Sequence, residues 1–193
     1  DMIRKHGAEG YIGAGEESFG FMPGSFTRDK DGVSSTSLMA EIAAWAKDNG
    51  KSLFDLLKDI YAEYGFSQEK MIYIVRKGLT GAQEIKEMME KFRNNTPVKI
   101  NGSDVILKKD YSILKATNLK TGETQNMDFP TTSNVLQFFL ADGCKISVRP
   151  SGTEPKIKFY FEARAQMPTT KDFHKAQAEA EAKIDAIIAD LGI

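Results

Sequence analysis

The 193 residues suffice for one large domain, or for a small domain together with part of another. With 41% apolar and 27% charged residues, and 26 basic against 27 acidic side chains for a net charge of −1, the composition is globular and offers no basic surface to nucleic acid or acidic lipid. The longest apolar stretches, such as Val135 to Ala141 interrupted by Gln137, fall far short of the roughly 20 residues of a bilayer span, no secretory signal opens the chain, and a cytoplasmic location is expected. A single cysteine, Cys144, excludes an internal disulfide, and His6 and His174 as the only histidines leave no zinc constellation and little material for a Ser-His-Asp or Cys-His arrangement. With Asp1 ahead of Met2, the first residue reads as a boundary left by processing or cloning rather than as a translation start.

Residues 1–32 are rich in glycine, lack sustained periodicity and read as loop. Leu38, Met39, Ile42, Ala43, Trp45 and Ala46 then recur at helical spacing up to Asn49-Gly50. A second helix follows Ser52, which can cap it with Asp55, and carries Leu53, Leu56, Leu57, Ile60, Tyr61 and Tyr64 on one face. Met71 to Val75 reads as a strand, and Thr80 with Gln83 as the cap of a helix whose face is Ile85, Met88, Met89 and Phe92. Beyond Asn94 the helical period disappears. Val98 to Ile100, Val105 to Leu107 and Ser112 to Thr117 read as strands with turns at Asn101-Gly102 and Thr121-Gly122. Val135 to Leu140 and Lys145 to Arg149 form a hairpin about Asp142-Gly143, and Lys156 to Ala163 adds one more strand. Thr169 and Asp172 open a last helix with Phe173, Ala176, Ala180, Ile184, Ile187, Ile188 and Leu191 along one side.

This order predicts an α+β fold, a small antiparallel sheet packed against helices, preceded by the helical tail of an α/β domain. The boundary is expected near Tyr64-Gly65-Phe66-Ser67, giving segments 1–66 and 67–193. The first offers two helices and a loop but no convincing sheet, and cannot bury both helix faces alone.

Two loops carry candidate chemistry. In Arg149-Pro150-Ser151-Gly152-Thr153-Glu154-Pro155, Arg149 can fork onto two phosphate oxygens, Ser151 and Thr153 offer hydroxyls, and Gly152 lets backbone amides approach an anion. The same residues also suit a plain β-turn. In Gly15-Glu16-Glu17-Ser18-Phe19-Gly20, a carboxylate such as Glu16 beside Ser18 suits a sugar-hydroxyl reader or a solvated acidic turn. Lys30, in Arg28-Asp29-Lys30-Asp31-Gly32, suits an ion pair, a charged tether or, with a lowered pKa, a proton carrier.

Taken together, Gly15-Glu16-Glu17-Ser18 and the Arg149 to Pro155 loop resemble, in that order and separation, two signature loops of the α-D-phosphohexomutases. The resemblance extends through Phe19-Gly20-Phe21-Met22, Lys30-Asp31-Gly32-Val33 and Ile60-Tyr61-Ala62-Glu63-Tyr64-Gly65, and the Lys-Asp-Gly element is similar to the phosphoglucomutase side of the family. It implies a four-domain enzyme: a phosphoserine domain, a magnesium-binding acidic loop, a sugar-binding third domain ending near residue 66, and a phosphate-binding fourth domain over 67–193. Neither a Ser-His-Asn-Pro loop nor a repeated Asp-Gly-Asp run stands in these 193 residues. The implied reaction interconverts sugar 1-phosphate and 6-phosphate through phosphoserine and a bisphosphate intermediate. Glucose, mannose and pentose phosphates all remain open as substrates.

By the same resemblance Glu16 and Ser18 read the sugar hydroxyls, Arg149, Ser151, Gly152 and Thr153 clamp the non-reacting phosphate, and Lys30 is a candidate acid or base. Mg2+ and hexose 1,6-bisphosphate belong to the full-length enzyme, with none bound by this segment, which is expected to be inactive alone. Its partners are the hexose phosphate and the N-terminal domains of the same chain. A non-catalytic sugar-phosphate binding module and a protein-binding scaffold are the competing readings. Trp45, Met88, Met89 and Phe92 are expected in the core and Cys144 as a small buried hydrophobe, with both histidines exposed. The Lys108-Lys109 pair and Lys156 with Lys158 read as solvated strand edges, unless the latter border the clamp.

Overall fold

The computed structural model describes residues 2–16, 20–78 and 80–193. They fall into two compact units, Asp1–Ile60 and Tyr61–Ile193.

The first unit holds helix α1 (Met2–His6), the two-residue strands β1 (Ala14–Gly15) and β2 (Phe21–Met22), helix α2 (Gly32–Asp48) and most of α3 (Leu53–Tyr64). β1 and β2 pair antiparallel, a minimal hairpin inside what the sequence presents as loop. Asp31 starts α2 from extended backbone, its carboxylate accepting from the amides of Val33 and Ser34 at 3.1 and 3.0 Å. Ser52 and Asp55 start α3 by reciprocal bonds, as expected: the Asp55 amide donates to Ser52 Oγ and the Ser52 amide to Asp55 Oδ2. Ala46 is the one buried apolar residue of this unit among the described residues. Trp45, expected in the core, is instead 58% exposed, because α2 turns Ala46 inward and leaves Met39 and Trp45 uncovered among the described residues.

The second unit is a two-layer α+β structure. Its strands are β3 (Phe66–Val75), β4 (Lys99–Ile100), β5 (Ser103–Asp110), β6 (Lys115–Asn118), β7 (Thr124–Asn126), β8 (Leu136–Leu140), β9 (Lys145–Pro150) and β10 (Lys156–Ala165). They form one antiparallel sheet in the order β3-β10-β9-β8-β5-β6-β7, with β4 also paired to β5. Helices α4 (Gly81–Asn94) and α5 (Phe173–Leu191) both pack on the sheet, α4 against β9 and β10, α5 against β10 and β3.

Period-two alternation sends Ile157, Phe159, Phe161 and Ala163 of β10 inward, beside Ile146 and Val148 of β9 and Leu136 and Phe138 of β8. The helices meet them with Ile85, Met89 and Phe92 of α4 and Ala176, Ala180, Ile184 and Ile187 of α5. Phe92 stands edge-on to Phe159 at 5.7 Å between ring centroids, and Cys144 is buried in the same core. Asp172 accepts from both the amide and the hydroxyl of Thr169 ahead of α5, the cap the sequence predicts.

Four details differ from expectation. β3 begins five residues earlier than Met71, because all ten of its residues pair with β10, from Phe66 opposite Ala165 to Val75 opposite Lys156. The stretch 111–114 is a turn, with Leu114 at φ +50°, so β6 begins only at Lys115. Thr80 does not cap α4; its hydroxyl donates to Glu84 Oε1 at 2.8 Å, while Gln83 donates to Glu87. Lys108 and Lys109 are not on a solvated edge, since β5 lies between β8 and β6. Lys108 reaches the carbonyl of Arg93, and burial pulls its ammonium below the usual lysine range. Lys109 lies over the ring of Phe139.

Candidate sugar and phosphate loops

In the first unit the glycine-rich loop closes on itself. The Glu16 amide donates to the Gly20 carbonyl at 2.9 Å and the Asp31 amide to the Phe21 carbonyl at 3.0 Å, which brings Lys30 Nζ to 3.1 Å from Glu16 Oε2. Gly20 lies against this pair: a Cβ there would stand 2.6 Å from Glu16 Oε1 and from Lys30 Cδ, so both side chains would have to shift to admit one. Glu16, Gly20, Arg28, Asp29 and Lys30 line a cleft of about 190 Å³. The structure thus brings Glu16 and Lys30 together as an ion pair; Ser18 and Glu17 lie outside the described residues. Both partners of the pair are partly solvated, so it orients side chains more than it stabilises the fold.

In the second unit the loop after Arg149 joins β9 to β10 and is closed by its own groups. The Ser151 amide donates to the Lys156 carbonyl and the Lys156 amide to the Glu154 carbonyl, each at 2.7 Å. Ser151 Oγ accepts from the amides of Thr153 and Glu154 at 3.4 and 3.3 Å, so the serine builds the turn. The Gly152 amide has no hydrogen-bond partner among the described residues. Gly152 also has an ordinary φ, and a Cβ on it would meet nothing within 4 Å, so the fold does not demand glycine at this position. Ser151, Gly152, Thr153, Glu154 and Pro155 line a cleft of about 260 Å³ with Ala82 and Ile85 of α4.

Arg149 does not line that cleft. It follows inward Val148 and projects from the sheet face opposite the helices, where it is exposed. On that face it stands directly opposite Lys158 of β10, which in turn stands opposite Tyr73 of β3. Like charges placed directly opposite one another are mutually unfavourable. β10 is an interior strand, so Lys156 and Lys158 are not edge lysines, and Lys156 borders the loop through an ion pair with Glu154 at 2.6 Å.

Other loop supports escape a sequence reading. The amide of Arg76 donates to the Pro155 carbonyl at 2.9 Å, and the Arg76 guanidinium pairs with Glu84 of α4 at 3.4 Å. The only signal available for them is that a charged pair, Arg76-Lys77, ends a strand ahead of a glycine. Among the described residues, no three His, Cys, Asp or Glu side chains cluster as metal ligands, and no helix is long and apolar enough to cross a membrane.

An antiparallel sheet backed by helices, with an arginine-led Ser-Gly-Thr loop between two of its interior strands, makes the second unit a two-layer α+β domain. Similarity to known proteins narrows this class. Residues 98–180 match the phosphoglucomutase/phosphomannomutase C-terminal domain, and residues 1–64 match the phosphoglucomutase/phosphomannomutase alpha/beta/alpha domain III. The chain belongs to the phosphoglucomutase/phosphomannomutase family and corresponds to its C-terminal portion.

It is 39% identical over 152 residues to a phosphoglucomutase of Staphylococcus haemolyticus, covering 79% of this chain and 27% of that protein. A phosphoglucomutase of Staphylococcus aureus strain MRSA252 is 39% identical over 149 residues, 77% of this chain and 27% of its own length. The chain therefore spans about a quarter of the curated relatives it matches. The crystal structure of parafusin, a Paramecium phosphoglucomutase in its open form, superposes with a TM-score of 0.54 at 20% identity, covering 94% of this chain and 31% of the other, which supports the fold.

Proposed function

We propose that this chain is the C-terminal part of a cytoplasmic phosphoglucomutase that interconverts sugar 1-phosphate and sugar 6-phosphate through a phosphoserine and a bisphosphate intermediate. Its first segment ends the sugar-binding domain, where Glu16 and Ser18 read ring hydroxyls and Lys30, tethered by Glu16, faces the reacting hydroxyl. Its second segment holds the non-reacting phosphate at the β9–β10 turn, outside the cleft against α4, with Arg149 reaching it from the open sheet face and Gly152 and the hydroxyls of Ser151 and Thr153 from the loop, converting remote binding energy into alignment of the reacting end. The phosphoserine and the magnesium ligands come from the remainder of the longer protein. Relatives named as phosphoglucomutases favour glucose phosphate as the substrate.

The observation that carries this reading is Gly152: its amide has no partner among the described residues, and neither φ nor crowding explains a glycine there. A ligand drawn close to the backbone does. Gly152→Ala is therefore expected to leave the denaturation midpoint unchanged or slightly raised, by up to about 1 kcal/mol of stability, while lowering affinity for inorganic phosphate. A variant that binds phosphate as the parent does contradicts the clamp. The 193-residue chain itself is expected to show no mutase turnover in a coupled assay with magnesium and hexose bisphosphate, since no phosphoryl carrier is present; turnover by the homogeneous chain contradicts the assignment.

A further inference from the structure

The loop that receives the anion carries one acid of its own, Glu154, two residues beyond Gly152. A carboxylate this near repels phosphate across a distance that salt only partly screens. Glu154 is not left open, however. Its Oε2 lies 2.6 Å from Lys156 Nζ. Lys156 is fixed from several sides: its amide donates to the Glu154 carbonyl, its carbonyl accepts from the Ser151 amide, and its ammonium lies 5.8 Å from the centroid of the Tyr73 ring. Its side chain is only 24% exposed against 61% for Glu154, so the lysine is the anchored member of the pair.

We propose that Lys156 is a positioning residue of the phosphate clamp: it draws the Glu154 carboxylate onto β10 and neutralises it, so that the loop's single acid does not oppose the anion received by Arg149 and Gly152. This rests on the clamp reading above. The charged and titratable groups around Glu154 agree with it. Lys156 and Lys158 face it from β10, Tyr73 of β3 lies behind Lys156, and Arg76 beside the loop is turned to Glu84. The hydrogen bond and charge of Lys156, with a smaller share from Lys158, hold the Glu154 carboxyl below its usual range, and the bond to Glu154 holds the Lys156 ammonium above its own.

The test is a two-by-two set, wild type, Lys156→Met, Glu154→Gln and the double variant, in the 193-residue chain. Inorganic phosphate is titrated against the Gly152 amide shift, and the Glu154 carboxyl is titrated by carbon-13 shift. In the wild-type background Lys156→Met is expected to weaken phosphate about three- to tenfold. In the Glu154→Gln background the same change is expected to cost less than about twofold, because there is no acid left to neutralise. The Glu154 titration should rise in Lys156→Met toward the ordinary glutamate range, while Lys156→Arg keeps both the titration and the affinity. Equal costs in both backgrounds show that Lys156 acts on the anion itself and overturn the proposal. An unmoved Glu154 titration in Lys156→Met overturns it as well. A wild-type Gly152 amide that ignores phosphate overturns the clamp reading, and this proposal with it, even where the Glu154 titration shifts as expected.

Discussion

Arg93 Nε donates to Asp110 Oδ2 at 2.9 Å, and this pair ties the end of α4 to the end of β5 around the most buried carboxylate described in the chain, 4% exposed. Asp110 also accepts from the amide and hydroxyl of Ser112, at 3.0 and 2.6 Å, and Arg93 reaches Asn134 at 2.8 Å. The carboxylate is satisfied on both oxygens, which is what allows it to stay ionised when buried.

Asp110→Asn is expected to destabilise the second unit by about 2 to 3 kcal/mol, less than a fully dry pair because Arg93 still reaches water. The pH dependence follows from sign. Burial pushes the Asp110 carboxyl up, but Ser112 and Arg93 outweigh it and leave the folded value depressed. A depressed carboxyl contributes stability above its unfolded value, roughly 3.9, and loses it as pH falls further through the folded value. Urea melts at pH 7 and pH 3 should therefore differ less in Asp110→Asn than in the parent; an equal drop removes Asp110 from the acid response.

Gly81 gives a test in which local propensity and packing disagree. Alanine in place of glycine stabilises a helix by about 0.8 to 1 kcal/mol on propensity alone. Here a Cβ would stand 2.0 Å from the carbonyl oxygen of Arg76, a backbone atom that cannot rotate away. Gly81→Ala is expected to destabilise, by about 1 to 3 kcal/mol, and to disturb Arg76, whose amide supports Pro155. A raised denaturation midpoint contradicts the packing described.

The single tryptophan reports on the first unit. With Trp45 58% exposed, its fluorescence in this chain should be readily quenched by acrylamide. Under the proposed function, quenching is expected to fall in the longer protein. Strong protection of Trp45 in the isolated chain contradicts the exposed helix face.

What the sequence made legible was what period and capping chemistry dictate. The α+β order, the β8-β9 hairpin, α5 and the caps at Ser52 and Thr169 follow from residues close together in the chain. What it hid depends on partners far away. The polar stretch Ser67 to Lys70 becomes strand only because β10 is long enough to pair it. Trp45 has the spacing of a core residue, yet burial also needs something to pack against. The loop residues Arg149 and Ser151 were recognisable as a group, but their division was not: alternation along β9 turns Arg149 away from the helices, while the cleft between loop and α4 takes Ser151 to Pro155. Lys156 looked like an ordinary strand lysine because its bond to Glu154 exists only once the loop has closed.

The most direct measurement is a phosphate titration of this chain and its Arg149 variants, followed by amide chemical shifts. The account predicts that the Gly152 amide moves first and most, since the Ser151 and Thr153 amides are engaged within the loop. Arg149→Lys, which keeps the charge and gives up the planar fork, should bind more weakly, and Arg149→Ala more weakly again, by up to the roughly 1.5 to 3 kcal/mol of a charged hydrogen bond. A Gly152 amide that stays still while residues elsewhere shift, or an Arg149→Ala chain that binds phosphate as tightly as the parent, contradicts it.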